Sequence, residues 1–547
     1  MADPSRRLKD QVPPDIWREI SELSNPIDVV ALGVTCRALH EATAERTLWM
    51  NLLKAVCMEY DLFLPSYPID EMSVTQLRRA ALGPHLWTRR VYKHAVSPNV
   101  PFYDLGTNVL SPVSTIPFDG QLNSDRFRHL VPGGRFLITC DAEHSDRDPR
   151  ALRDTDIFTL KLWDLGFAGR KPLSQPLLLA SRDIGPLNRF ANQIINMDCS
   201  IRGTETLAVA LSTIANISHR RCLVFAICPH RPNPSFEQLS SMSADFSRHW
   251  AIAPMAFHLR GDKVLARFEN DLVVWDFIVS LYAIVPLGLD LRALSRTDQF
   301  LLSGDLLILI TALGAHQYLL SQWTALPDTH VPHLEIPTST SLALGSQSLY
   351  ITLPPHRGDS GRNAVHISPS STSLPLTWDV IEVSDTSPAG RVQGQRFSLI
   401  DQSEHLNERN LPQISTGDAI NLSIDHVGTY KVPSGKWAPP VMSPPVAWNS
   451  KAPLTLLKML PELWERASLH LGPGSGPQPT DVLYWITPYK DNSTNPSEDV
   501  AGQTHIMGCT ALGYGGVAAS CTATGRFIVN MEYEMGVRRM SLVDYMA

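Results

Sequence analysis

The stretch GDKVLARFENDLVVWDFI, residues 261–278, decides the fold of most of the chain. A glycine opens it at a turn, and the short alternating run KVLARF follows. A second run, LVVWDFI, carries a Trp–Asp pair at Trp275–Asp276. Short strands bounded by turn residues are the mark of antiparallel β structure. The opening recurs as GRFLIT from Gly134, GTETLAVAL from Gly203, GDLLILI from Gly304, GSQSLYITL from Gly345, GDAINLSI from Gly417 and GRFIVNM from Gly525. Two of the intervals, 43 residues from Gly261 to Gly304 and 41 from Gly304 to Gly345, equal the length of one four-stranded propeller unit, roughly 40–45 residues.

A second signal runs alongside. The pieces KLWDL, LVVWDFI and LTWDV place Trp–Asp pairs at 163–164, 275–276 and 378–379, and the C-terminal RRMSLVDYMA has the same strand shape without the tryptophan. With 42 prolines and 32 glycines, turns are frequent. This portion resembles a degenerate WD-repeat β-propeller of seven or eight blades. It departs from that family in having no Gly-His dipeptide anywhere. A sandwich or irregular β domain would show the same alternation.

The first hundred residues read differently. Pro13 and Pro14 suit a helix start, and Ile16, Ile20 and Leu23 follow on one stripe. Asn25 is a good N-cap before Pro26, and Asp28 lies favourably near that helix's N-terminus. Val29, Val30 and Leu32 give the second helix its apolar side, and a third carries Cys36 and Leu39 before Leu48, Trp49, Leu52 and Leu53. Three or four short helices in so few residues bury too little surface to stand alone. Their exposed stripes suit docking on a partner helix. Further on, Ser73 is a fitting cap for an amphipathic run to Ala81.

The elements V-P-x-D-I-W-x-x-I-x-x-L, P-I-D-V-V-A-L, C-R-A-L-H and L-W-x-x-L, in that order, resemble an F-box, in the form common in mushroom-forming fungi. Val12 and Asp15 replace the usual Leu and Glu, and Thr35 stands where Val is usual. The resemblance implies an F-box over 11–55, a helical linker over 56–95 and a β-propeller-like recognition domain over 96–547. The fold class is thus α+β multidomain, a small all-α head on a large all-β domain. The resemblance also implies docking on a Skp-family adaptor, and through it a cullin, with Val12, Pro13, Ile16, Ile20, Leu23, Leu32, Cys36, Leu39 and Trp49 as the adaptor-binding set, residues that pack against the adaptor or hold the F-box together. The β domain would bring a protein substrate for ubiquitin transfer. A propeller scaffold outside ubiquitin ligases is the alternative, with the head as its packing cap.

Composition narrows the other classes. Net charge is −7 with no clustered Lys/Arg, so no nucleic-acid footprint is expected. The eight cysteines show no C-x-x-C spacing and read as reduced thiols of an intracellular protein, with neither disulfide frame nor zinc knuckle. The best membrane candidate, the uncharged apolar stretch LLILITALGA at 306–315, is about half the length a membrane span needs and reads as buried strand. Enzyme signatures fail: GDSG at 358–361 lacks a histidine partner motif, SGKW at 434–437 lacks the rest of a P-loop, and GPGSGP at 472–477 lies among prolines. No catalysis, cofactor or metal is expected of this chain.

Overall fold

The computed structural model describes residues 13–93, 110–118, 127–143, 157–168, 173, 175–186, 193–214, 219–245, 256–268, 271–286 and 299–303. From there to 546 it describes the strands named below and the short turns beside them. Six helices come first among the described residues: α1 (Pro14–Glu22), α2 (Pro26–Gly33), α3 (Arg37–Thr43), α4 (Arg46–Glu59), α5 (Val74–Ala81) and α6 (Gly83–Lys93). Their ends follow local rules. Pro14 occupies the first turn of α1. The Asn25 side chain accepts the Ile27 amide at 3.1 Å to cap α2. Ser73 and Gln76 form a capping box on α5, each side chain accepting from the other's backbone amide. α4 runs through residue 55 without a break, so the expected F-box and linker share one helix.

The rest is a series of meandering antiparallel sheets. β1 (Ser114–Pro117) stands apart for the moment. β2 (Phe127–Leu130), β3 (Phe136–Glu143), β4 (Ile157–Asp164) and β5 (Leu177–Pro186) make one sheet in chain order. β6 (Gln193–Arg202), β7 (Thr206–Ile214), β8 (His219–Ile227) and β9 (Glu237–Asp245) make the next. β10 (Ala256–Arg260), β11 (Lys263–Phe268), β12 (Asp271–Asp276) and β13 (Leu281–Pro286) make a third. β14 (Gln299–Ser303), β15 (Leu306–Thr311) and β16 (Gly314–Leu319) begin a fourth. The chain then turns back. β17 (Thr324–Ala325) joins the outer edge of β13 and β18 (His333–Glu335) joins that of β9, before β19 (Tyr350–Thr352) completes the fourth sheet beside β16.

β20 (Ala364–Ile367), β21 (Leu376–Ser384), β22 (Arg391–Asp401) and β23 (Leu422–Val432) form a further meander. β24 (Leu454–Leu457), β25 (Val482–Ile486) and β26 (His505–Ala511) add to it through a short parallel pairing of β23 with β26, giving a seven-stranded sheet. Last come β27 (Val517–Cys521), β28 (Arg526–Glu532) and β29 (Arg538–Asp544). β1 pairs antiparallel with β29, so one sheet is shared by the two ends of the β region. The first strands of neighbouring sheets touch, β27 with β2, β2 with β6 and β6 with β10. This is a propeller-like arrangement. The number of blades expected, seven or eight, compares with six sheets among the described residues, one of them seven-stranded.

The glycine repeat finds a structural meaning. Gly134, Gly203, Gly261 and Gly525 adopt positive φ of 71°, 64°, 55° and 67°, each just before the second strand of its sheet. β15, after the expected opening at 304, is also a second strand. The openings at 345 and 417 differ, because the strands that follow, β19 and β23, are fourth in their meanders. Alternation alone does not distinguish a second strand from a fourth, so the 41-residue interval is not one whole unit.

The Trp–Asp pairs sort in the same way. Those at 163–164 and 275–276 end third strands, whereas that at 378–379 lies near the start of a second strand, β21. At the third-strand ends the aspartate ties the following turn to the start of the second strand. Asp164 accepts the Gly166 amide at 2.8 Å and the Arg135 guanidinium at 2.7 Å. Asp276 accepts the Ile278 amide at 3.1 Å and pairs with Lys263 at 3.5 Å. Asp544, in the tryptophan-less version, accepts the Met546 amide and Arg526 Nε, both at 2.7 Å. In the sheet of β6 to β9, Thr206 and Cys228 meet at 3.1 Å in the same place.

The head is not a separate body. One apolar core runs from Leu48, Trp49, Leu52, Leu53 and Val56 of α4 through Leu77 and Ala81 of α5. It continues into Leu130, Leu137, Trp163, Ile528 and Leu542 of the first and last sheets. Trp87 of α6 stacks near Phe527 and Tyr545, with ring centroids 5.9 and 5.8 Å away. The run at 306–315 takes in β15 and the first two residues of β16, with Leu307 and Leu309 fully buried. Among the described residues, no helix is long and apolar enough to cross a membrane.

Candidate partner-docking face

Helix α1 is amphipathic the wrong way round for a core helix. Its polar side faces the protein. The Ser21 hydroxyl, fully buried, donates to the Trp17 carbonyl at 2.7 Å. Arg18 pairs with Glu22 at 3.3 Å and with Glu45 at 3.5 Å, and donates to the Thr47 hydroxyl at 3.4 Å. Asn51 of α4 donates to Glu22 at 3.2 Å. These contacts hold α1 against the start of α4 by its charged side. The apolar side is left facing outwards, with Ile16 43%, Ile20 41% and Leu23 86% exposed.

The turn and helix that follow also leave apolar residues open. Val29 is buried, and Gly33 lets α2 and α3 close: a Cβ there would sit 2.5 Å from the Thr43 hydroxyl oxygen. Ile27 and Val34 point outwards, 47% and 78% exposed. Thr35 is exposed and its hydroxyl donates to the Leu32 carbonyl at 2.7 Å, so the departure from the usual Val is satisfied locally. The exposed charges around this patch are mostly acidic: Asp15, Glu19 and Asp28.

The predicted docking residues divide. Pro13, Ile16, Ile20 and Leu23 are exposed together. Leu32 and Cys36 are half-buried. Leu39 and Trp49 are buried, and Trp49 Nε1 donates to the Thr43 carbonyl at 2.7 Å, so these two hold the head together. Val12 lies outside the described residues. Sequence reading passed over Ile27 and Val34. Ile27 continues the spacing 16, 20, 23, and that rhythm was the available signal.

Elsewhere the chemistry is muted. Among the described residues, Cys36, Cys57, Cys140, Cys199, Cys222, Cys228 and Cys521 are free thiols. Burial pushes the Cys57 and Cys222 thiols up to about 12 and raises Cys199, which disfavours the thiolate that nucleophilic chemistry needs. The described residues hold no group of three or more His, Cys, Asp or Glu placed to bind a metal. GDSG, SGKW and GPGSGP lie outside the described residues. A partly buried polar cluster lies where β2, β6 and β10 meet. Asp198 accepts the Leu259 amide at 2.8 Å and lies 3.5 Å from Arg260 and 3.9 Å from His258.

No family model and no curated protein matches the chain. Among solved structures it is similar to the WD40 domain of SCAP from fission yeast, at 10% identity over 83% of this chain and 96% of that one, with a TM-score of 0.32. It is also similar to the N-terminal domain of Nup159, at 9% identity over 82% and 93%, with a TM-score of 0.26. The architecture is read from the strand pairing, not from these likenesses.

Proposed function

We propose that this chain is a non-catalytic substrate receptor of an SCF-type ubiquitin ligase. The α1–α2 face docks a Skp-family adaptor, and the propeller-like region holds a protein substrate. One observation carries the reading: Ile16, Ile20 and Leu23 stay exposed on one stripe, and Ile27 is exposed on the next helix, although α4 to α6 of the same head are packed against the β domain. An apolar patch that a folded chain leaves open suits a partner's groove. The motif order quoted above is what points to the adaptor. The acidic rim of Asp15, Glu19 and Asp28 favours a partner whose groove has a basic border. The chain's part in ubiquitin transfer is then proximity, an effective-concentration effect. If the seven-stranded sheet counts as two units, the propeller has seven.

The burial of α4 to α6 is what the alternative scaffold reading expects. The open face of α1 is what it leaves without a role. Co-expression with a Skp-family adaptor, followed by size-exclusion chromatography, separates the two. A stoichiometric complex that Ile16→Asp with Ile20→Asp abolishes is the expected result. Failure of the wild-type chain to bind the adaptor, or a double variant that still co-elutes with it, overturns the ligase reading and leaves the scaffold.

A further inference from the structure

The polar cluster where β2, β6 and β10 meet offers more donors than acceptors. Its carboxylate, Asp198 of β6, is already engaged by backbone. Oδ1 accepts the Cys199 amide and Oδ2 the Leu259 amide, each at 2.8 Å. Arg260, the last residue of β10, comes to 3.5 Å of Asp198, while its hydrogen bond, at 2.8 Å, goes to the Leu259 carbonyl. Both contacts use Nη1. Its Nε is buried and has no hydrogen-bond partner among the described residues, with the side chain only 12% exposed. A buried donor left unpaired is costly.

The neighbouring groups do not fill that gap. Ser200 lies two residues beyond Asp198 on β6, on the same face of the strand. Its hydroxyl is also buried without a partner among the described residues. His258, two residues before Arg260, stands 3.9 Å from Asp198, too far for a hydrogen bond. His129 of β2 feels the charges of both Asp198 and Arg260. Burial keeps the two imidazoles neutral at pH 7, each with one N–H to give. Asp262, in the turn after Arg260, is held by Arg202 Nε at 2.6 Å.

We infer that this cluster is a binding site for a single oxyanion group, a carboxylate or a phosphate, carried by a small ligand. Arg260 Nε–H and the Ser200 hydroxyl donate to it, and His129 and His258 line it. A guanidinium presents donors on more than one edge, so Arg260 bridges Asp198 on its Nη1 side and the ligand on its Nε side. Asp198, held by two amides, sets the direction of the guanidinium. The site is built from the first strands of three successive sheets, so its occupant ties those sheets together. It lies apart from the α1–α2 face and stands whether or not an adaptor binds there.

The test uses the full chain, with inorganic phosphate and acetate as probes against chloride at matched ionic strength. At least one probe should raise the thermal unfolding midpoint in a saturable way. A response to acetate alone makes the group a carboxylate, and a response to phosphate alone makes it a phosphate. Arg260→Gln should weaken the binding about tenfold or more. Ser200→Ala removes one hydroxyl, keeps the strand, and should weaken it about threefold. Arg89→Gln, at an exposed position of α6, should leave it unchanged. No shift beyond chloride with either probe would overturn the inference. So would a wild-type response in Arg260→Gln or, where that variant does not fold, in Ser200→Ala. An equal loss in Arg89→Gln would also overturn it, by showing general screening of charge.

Discussion

Arg526 and Asp544 stand directly opposite each other on β28 and β29, their charged groups 2.7 Å apart and both wholly buried. The guanidinium also donates to the carbonyls of Gly134, Gly166 and Phe167 in the sheet of β2 to β5. One arginine therefore joins the last sheet to the first complete one, just below Trp87 of the head. A buried pair is costly to assemble, but removing one partner strands the other charge, at about 3–5 kcal/mol. Asp544→Ala should lower the unfolding free energy by that order. The corresponding change at Asp276, whose partner Lys263 is nearer solvent, should cost clearly less. Urea titration of both variants measures the contrast, and equal losses would show that Arg526 does not clamp the sheets.

What was legible in the sequence follows from the range of the forces involved. Helix caps are local, and Asn25 and Ser73 were readable because their partners lie two and three residues away. The second-strand glycines were readable because a left-handed turn has a residue preference. The clamp was not, since Arg526 and Gly134 are 392 residues apart and nothing local marks the pairing. The apolar stripe of α1 was read from its spacing. Spacing could not tell that Trp49 and Leu39 turn inwards, because inside and outside depend on where α4 meets the sheets.

The contact of Gly33 with Thr43 gives a sharper test of the head. Gly33→Ala gains about 0.5–1 kcal/mol in helix propensity. The new methyl would meet the Thr43 hydroxyl at 2.5 Å, and overpacking of this kind costs about 1–3 kcal/mol. The clash should win, with a lower thermal midpoint for Gly33→Ala. Adding Thr43→Ala should recover stability, because the atom in the way is a side-chain oxygen. A double variant no better than the single would place the strain elsewhere.

Because α1 rests on α4 by its polar side, Ile16→Asp with Ile20→Asp should leave stability within about 0.5 kcal/mol of wild type, as for exposed sites generally. Leu53→Asp, on the buried side of α4, should unfold the head and the sheets it packs on together. Far-UV and near-UV circular dichroism on both variants distinguishes these outcomes. Loss of tertiary signal in the α1 double variant would mean that its apolar face is a core surface after all.

The cluster at the inner strands makes stability depend on pH. His258 is only 20% exposed, and burial first, then the Arg260 charge, lowers its pKa to about 4, with Asp198 opposing. Burial likewise lowers His129, which feels the same Asp198 and Arg260. In the unfolded chain a histidine titrates near 6.5, so between there and about 4 the unfolded state binds the proton and the native state does not. The folded state is then favoured above pH 6.5 and loses ground as pH falls, by roughly 3 kcal/mol for His258 at the low end. Substituting His258→Phe keeps a ring beside Phe300, whose centroid is 6.0 Å away, and removes the titrating group. Urea midpoints for wild type should fall more steeply from pH 7 to pH 4.5 than those of the variant. Parallel pH profiles for the two proteins would show that His258 takes up its proton in the folded state.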